Sequence, residues 1–250
     1  MIYDSEYENE RFTNKNLAKK KVGGVTRFGK TVFIKQTFYT LLMNQSDNIE
    51  LFILDLKGGM EFGMYEDIPQ VKKVASDLVE SAETLLGILE RLKLKQKHMR
   101  SKRYTNIVDT SIKQRTFIIV DEGAELSPDI VGSNTEAKQY AKFCQGALSE
   151  IARIGGALGY RLIFCTQYTT AQAVPMQVKM NIVARLSFVA AAQISSRVIL
   201  DDVGAEELPS IPGRAIYKVE KNRIVQVPYI NDSFMFKHLE GLQHVIINTK

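Results

Sequence analysis

Short runs of β-branched and aliphatic residues alternate along this chain with longer stretches whose apolar positions recur every three to four residues. Ile49–Asp55 (IELFILD), Thr116–Asp121 (TFIIVD), Arg161–Thr166 (RLIFCT) and Ile182–Val189 (IVARLSFV) are too uniformly apolar for half-exposed strands, so the pattern predicts strands buried on both faces. Helical periods lie between them. They cover Thr31–Gln45, then Ala75–Arg103 with Leu78, Ala82, Leu85, Leu89 and Leu92 on one stripe, then Glu136–Ile154 with Tyr140, Phe143, Ala147 and Ile151 on one face. Strand–helix alternation of this kind predicts an α/β fold with a mainly parallel central sheet flanked by helices. The end of the chain breaks the rhythm, because Arg214–Val219 and Arg223–Tyr229 around Glu220–Asn222 predict an antiparallel β-hairpin. The first sixteen residues are polar and acidic and read as a loose arm. Leu17–Val22, with three consecutive lysines, reads as a poor candidate for a buried strand.

Composition adds little but excludes several classes. With 250 residues, 45% hydrophobic and 24% charged, the chain suits one sizeable globular core. No charged start followed by an apolar run marks a signal peptide, and Arg185, Gln193 and Arg197 interrupt the longest apolar stretch, so no membrane segment is expected. Two isolated cysteines, Cys144 and Cys165, fit buried thiols in a reducing, cytoplasmic setting. The net charge of +5 permits a polyanionic partner without demanding one. Its positive residues gather at Lys15–Lys21 and along Arg91–Arg103, each of which is either a phosphate-contacting surface or a solvated face.

Candidate chemistry starts at Gly24-Val25-Thr26-Arg27-Phe28-Gly29-Lys30-Thr31, a full match to the phosphate-binding loop G-x-x-x-x-G-K-[ST], with Val32 continuing into the helix. Glycines let successive N–H groups turn inward on phosphates at a helix start. Lys30 would reach the β- and γ-phosphates of ATP, and the Thr31 hydroxyl would ligate Mg²⁺. Far downstream, Phe117–Val120 ends in Asp121 and Glu122, a strand that delivers two carboxylates to the edge where ligands gather in parallel sheets. Asp121 would hold Mg²⁺ through water, and Glu122 would serve as the base for the attacking water. Gln167, closing Ile163–Thr166, reads either as a γ-phosphate sensor or as a turn residue, and Asp55 either supports the site or caps a turn. The three histidines, His98, His238 and His244, have no metal-ligand spacing, and no nucleophile elbow is present.

Several segments taken in order resemble a known family. Ile151-Ala152-Arg153, Thr166-Gln167, Ser196–Asp201 and Gly204-Ala205-Glu206 are similar, in order and spacing, to the motor domain of FtsK/SpoIIIE DNA translocases of the FtsK–HerA group. The loop Gly23–Thr31 looks like the form found in Gram-positive conjugative coupling proteins and related plasmid proteins. Pro212–Tyr217 and Val227–Tyr229 resemble the last strands of those motors. The resemblance covers Lys21 to Ile230. It implies a RecA-like P-loop motor domain over 21–231, between an arm at 1–20 and a tail at 232–250.

The resemblance further implies ATP and Mg²⁺ as cofactors, DNA as partner and a homo-oligomeric, hexameric ring. Lys30, Thr31, Asp121 and Glu122 match the ATPase residues and Gln167 the sensor. DNA contacts fall on Tyr168, Thr170, Lys179 and Arg197. Arg153 is the candidate arginine finger, because the usual finger stretch is shortened here to Ile154-Gly155-Gly156-Ala157. Tyr168 stands in place of a DNA-contacting arginine, and Gln193 in place of a pore-side lysine. The implied function is an ATP-driven DNA translocase or helicase acting in plasmid or mobile-element replication or processing, with plasmid replication or transfer proteins as further partners. The alternatives are the motor of a conjugative coupling system and a P-loop nucleotide switch controlling a protein partner.

Overall fold

Alternation at consecutive strand positions decides how the sheet is covered. In the computed structural model, which describes residues 19–24, 28–167 and 174–244, Leu51 and Ile53 face one layer of helices while Phe52 and Leu54 face the other. Ile119 and Ile163 join the first set, and Ile118, Val120, Leu162 and Phe164 the second. Both faces of the sheet are therefore buried, as uniformly apolar strands require.

The eight strands are β1 (Lys20–Gly23), β2 (Ile49–Asp55), β3 (Val71–Ala75), β4 (Arg115–Asp121), β5 (Tyr160–Thr166), β6 (Ala184–Phe188), β7 (Arg214–Lys218) and β8 (Asn222–Gln226). Their spatial order is β3-β2-β4-β5-β1-β6-β7-β8. The first six run parallel, while β7 and β8 are antiparallel additions at one edge. The helices are α1 (Lys30–Gln45), α2 (Leu78–Ser101), α3 (Thr135–Ile154), α4 (Met176–Asn181), α5 (Gln193–Leu200) and α6 (Asp232–His244). One face carries α1 and α6, whose Phe38, Leu42, Met235 and Leu239 join its core; α2, α3 and α4 cover the other.

Three elements depart from the sequence expectations. The lysine-rich stretch does form a buried strand: β1 lies between β5 and β6, with Lys20 and Lys21 only 4% and 0% exposed. The lysine stems make this tolerable, because each ammonium reaches past the strand. Lys20 Nζ sits 5.3 Å from the Phe33 ring centroid, and Lys21 Nζ donates to Val198 O at 2.9 Å. Burial still pushes both lysines down to about 8. On α3 the buried stripe is Ala141, Cys144, Ala147, Leu148, Ile151 and Ala152, so Ala147 and Ile151 face inward as expected, whereas Phe143 faces solvent. The last stretch, expected as a tail, begins with α6, tied to α1 by Lys35 Nζ, 2.9 Å from Asp232 and 2.7 Å from Glu61.

Candidate functional site

Because β1, β2, β4 and β5 run parallel and in register, their carboxyl ends deliver Gly23, Asp55, Asp121 and Thr166 to one edge of the sheet. Gly24 follows β1 at φ 141°, where a Cβ would come within 2.7 Å of the Phe188 Cβ. Gly29 caps the N-terminus of α1 at φ 113°, a conformation that L side chains rarely adopt. No side chain caps α1, and its first turn carries no acid. The N–H groups of that turn therefore remain directed outward as an anion cradle. Val25, Thr26 and Arg27 lie outside the described residues. Phe28 O accepts from Gly213 N at 2.9 Å, and Gly213 O accepts from Val227 N at 2.8 Å, which ties the loop to the β7–β8 hairpin.

Lys30, the first residue of α1, is 5% exposed and points across the strand edge. Its Nζ lies 3.0 Å from Glu122 Oε2 and 3.5 Å from Asp121 Oδ1. Glu122 adopts φ 66°, ψ 56°, the left-handed region that a non-glycine residue enters only when its surroundings hold it. They do hold it. Oε1 accepts from Thr166 Oγ1 at 3.0 Å and from Gln167 N at 2.9 Å, so the end of β5 aims this carboxylate. Asp121 is fully buried, and neither of its oxygens has a hydrogen-bond partner among the described residues. Burial pushes its carboxyl above the usual range, and Lys30 and then Lys57 pull it back.

Two residues enter the site with roles that the sequence did not assign them. Lys57 Nζ, two positions beyond β2, lies 3.6 Å from Asp121 Oδ2. With its amide oxygen turned toward the cations, Gln167 accepts from Lys57 Nζ at 2.7 Å and Lys30 Nζ at 3.2 Å. Thr166 is the second, as the hydroxyl on Glu122. The signal for Lys57 was positional: Asp55 is the register partner of Asp121, so residues just after β2 must fall beside β4's acids. Asp55 itself caps a turn. Its Oδ2 accepts from Glu61 N at 2.9 Å and Phe62 N at 3.0 Å.

A cavity of about 550 Å³ opens from this edge, between Gly29–Val32 and Gln167 on one side and Pro212, Gly213 and Gln226–Tyr229 on the other. It is large enough for a nucleotide whose phosphates sit on the α1 cradle.

Residues 9–116 match the FtsK/SpoIIIE family model. The DNA translocase FtsK of Campylobacter jejuni is 29% identical over 205 residues, which is 78% of this chain and 20% of that protein. In sequence the chain is similar to FtsK-type motors. The Mycobacterium tuberculosis translocase is 26% identical over 79% of the chain and 25% of its own length. The chain thus spans about a fifth to a quarter of the length of these relatives. Among solved structures, the pCW3 conjugation coupling protein TcpA, in a monomer form with ATPγS, superposes with a TM-score of 0.80 at 24% identity. That match covers 90% of this chain and 65% of TcpA. The Thermomonospora curvata type VII secretion ATPase EccC gives 0.72 at 20% identity, covering 90% of this chain and 28% of its own.

Similarity to FtsK-type motors implies ATP and Mg²⁺ as ligands, and the residues present fit both. Asp121's buried oxygens, held among the described residues only by the Lys30 and Lys57 ion pairs and by no hydrogen bond, suit a cation or its water shell, and Thr31 stands in the first turn of α1 beside the cavity. Among the described residues no cluster of three His, Cys, Asp or Glu side chains is built to hold a metal alone. A cation here would take part of its coordination from phosphate, as Mg²⁺ does.

The remaining candidates lie elsewhere in the fold. Arg153, near the C-terminal end of α3, is exposed and doubly bonded to Glu150 at 2.8 and 3.0 Å. Helix α3 runs from the carboxyl edge of the sheet back to the start of β5, so Arg153 is at the opposite edge from Glu122. Lys179 is half-buried on α4 and Arg197 exposed on α5. Arg197 and Asp201, one helical turn apart, form no ion pair. Asp201 is instead 2.6 Å from Arg185 Nη2 and 4.0 Å from Lys21 Nζ. Arg185 also donates to Leu200 O at 3.3 Å and Lys179 O at 3.4 Å, which fixes the two short helices relative to each other. Tyr168 and Thr170 lie outside the described residues. No helix among the described residues is long and apolar enough to cross a membrane.

Proposed function

We propose that this chain is an ATPase motor that couples ATP hydrolysis to movement along DNA, working as a ring of identical subunits on plasmid or other mobile-element DNA. The observation that carries the reading is the Lys30–Glu122–Asp121 constellation closed by Gln167. A cation at 3.0 Å from Glu122 holds the carboxylate where the γ-phosphate's counter-charge is needed. When ATP enters, its phosphates compete for Lys30 and release Glu122 toward the attacking water. Asp121 and Thr31 would then hold Mg²⁺, which neutralises charge on the phosphates. Gln167 joins the two cations to the loop that follows β5, so loss of the γ-phosphate would be felt there. The base of the nucleotide would lie toward Pro212, Gln226 and Tyr229.

In this reading Tyr168, Thr170, Lys179 and Arg197 carry the DNA contacts, and Arg153 acts on a neighbouring subunit's nucleotide, since its own site is at the other edge. The motor would occupy residues 21–231 and work in the cytoplasm. A second reading, the motor of a conjugative DNA-transfer system, is favoured by the Gly23–Thr31 loop type and by the likeness to TcpA. A nucleotide switch acting on a protein partner is the reading from another class. ATPase rates measured with no DNA, single-stranded DNA and duplex DNA, alongside sizing with nucleotide, separate them. A motor accelerates with DNA and assembles; slow turnover indifferent to DNA would identify a switch.

A further inference from the structure

The edge of the sheet opposite the nucleotide site carries cations that the motor chemistry leaves unused. Lys19 precedes β1, Arg115 opens β4 and Arg161 is the second residue of β5, so three adjacent strands begin with a basic side chain. Helix α2 returns to this edge and adds Lys95, whose Nζ lies 5.5 Å from the Tyr160 ring centroid. The positions of these groups are fixed by neutral partners. Arg115 Nη1 donates to Ile112 O at 2.8 Å and Gln114 O at 3.0 Å; Arg161 Nη1 donates to Gly156 O at 2.8 Å and Tyr160 O at 3.1 Å. Lys19 Nζ donates to Ala152 O.

Carbonyls orient these cations without neutralising them. Among the described residues, the one carboxylate acting on Lys95 is Glu50, and Arg91 Nη2 already holds it at 2.6 Å. Mutual repulsion follows. Burial and then Arg115 hold Lys95 and Arg161 below their ordinary values, and burial and then Arg161 bring Lys19 down to about 8. Unlike-charged partners would have raised the lysines.

The array is also extended. Lys95, His98 and Lys102, the last at the C-cap of α2, follow i, i+3, i+7 spacing along one stripe, about 10 Å at 1.5 Å per residue. The strand starts from Arg115 to Lys19 add about 10 Å at roughly 4.8 Å per strand. A compact phosphate needs converging donors, whereas a line of this length matches a chain anion bearing a charge every few ångströms, as a nucleic-acid strand does at about 3.4 Å.

We infer that Lys19, Lys95, Arg115 and Arg161, continued along α2 by Lys102, form a second binding surface for the phosphate backbone of DNA, remote from the nucleotide edge. The inference rests on the motor reading for its choice of polyanion. Backbone contacts of this kind would hold the DNA without reading its sequence and add steadily to salt sensitivity.

The test is fluorescence anisotropy of a labelled 40-base-pair duplex of arbitrary sequence, titrated with the full chain between 50 and 300 mM KCl. Lys95→Gln/Arg115→Gln/Arg161→Gln keeps a hydrogen-bond donor at each position, and Lys102→Gln probes the exposed end of the stripe, where folding is not at stake. The triple variant should bind at least tenfold more weakly at 100 mM KCl, with a log–log salt slope shallower by about two to three, and Lys102→Gln by about one. ATPase without DNA should equal wild type in both. Unchanged slope in both variants, while Lys179→Ala/Arg197→Ala weakens binding, would overturn this surface and leave the motor reading standing. Loss of self-association with an unchanged slope would assign the cluster to a subunit contact and overturn it equally. A wild-type chain that binds no duplex at 50 mM KCl would overturn both.

Discussion

Replacing Glu122 by Gln separates the carboxylate's structural work from its chemistry. The carboxylate has two accepting oxygens in use, one toward Thr166 Oγ1 and Gln167 N, the other toward Lys30 Nζ. The amide has one. With its oxygen kept on Thr166 and Gln167, its NH₂ faces the Lys30 ammonium, and a charge-assisted bond of about 1.5–3 kcal/mol is lost. Lys30 then leans on Asp121, 3.5 Å away, so part of that loss is recovered and folding should survive. Hydrolysis should not. Without a base to take the water's proton, turnover should fall about 10²- to 10⁴-fold, which is about 3–5 kcal/mol of barrier. Nucleotide affinity should hold or rise, because the amide no longer competes with phosphate for Lys30 by charge. Phosphate release at saturating Mg-ATP gives the first quantity, and fluorescence of a labelled ATP analogue the second. Turnover within threefold of wild type, with the variant folded, would refute the assignment of Glu122 as base. Loss of nucleotide binding along with turnover would show that the carboxylate only shapes the site.

Lys57→Met should lower turnover about tenfold, about 1.4 kcal/mol of barrier, while Mg-ATP affinity stays within threefold, because it removes the cation between Asp121 and Gln167; unchanged phosphate release would make Lys57 a bystander. Lys21 titrates lower in the folded chain, at about 8, than its ordinary 10.5, so the unfolded state binds the extra proton between those values. Stability should therefore rise with pH over that window by up to about 1.4 kcal/mol per unit from this group, and Lys21→Met should remove that increment in urea unfolding at pH 8 and 10; equal slopes would contradict the buried placement. Arg153→Ala should bind nucleotide normally and hydrolyse slowly, and mixing it with Glu122→Gln should restore activity at interfaces that pair an intact Arg153 with an intact Glu122. No recovery despite demonstrated subunit exchange would return Arg153 to its pairing with Glu150. Lys179→Ala/Arg197→Ala should keep basal ATPase and lose DNA stimulation, and a variant stimulated as strongly as wild type would move the DNA path elsewhere.

The strand pattern foretold β2, β4, β5 and β6 because strands covered on both faces leave an unbroken apolar run. It hid β1 for a physical reason: lysine stems can lie in a sheet when each ammonium finds a carbonyl, a ring or an acid beyond it, and no hydropathy pattern records Val198 O or Phe33. It hid β3 because Lys72 and Lys73 are exposed on an edge strand, which breaks the apolar run. On α3, choosing the largest side chains put Phe143 inward, whereas the packing against α2 selects the smaller Ala141 and Cys144 one position away from the expected face. At the site, the residues that a motif spells were visible, while Lys57 and Thr166 depend on strand order, which places the ends of β2 and β5 on either side of β4. The wall made by Pro212 and Gln226–Tyr229 depends on the antiparallel hairpin folding back over α1's first turn, a long-range event that local sequence does not encode.

The central claim is that hydrolysis at this site moves the protein along DNA, and displacement of a labelled third strand from a triplex tests it most directly. With Mg-ATP and a duplex arm for loading, the wild-type chain should release the third strand. It should fail to do so with a non-hydrolysable analogue or as Glu122→Gln. Rapid DNA-stimulated phosphate release with no strand displaced, on arms of any length or orientation, would contradict the account.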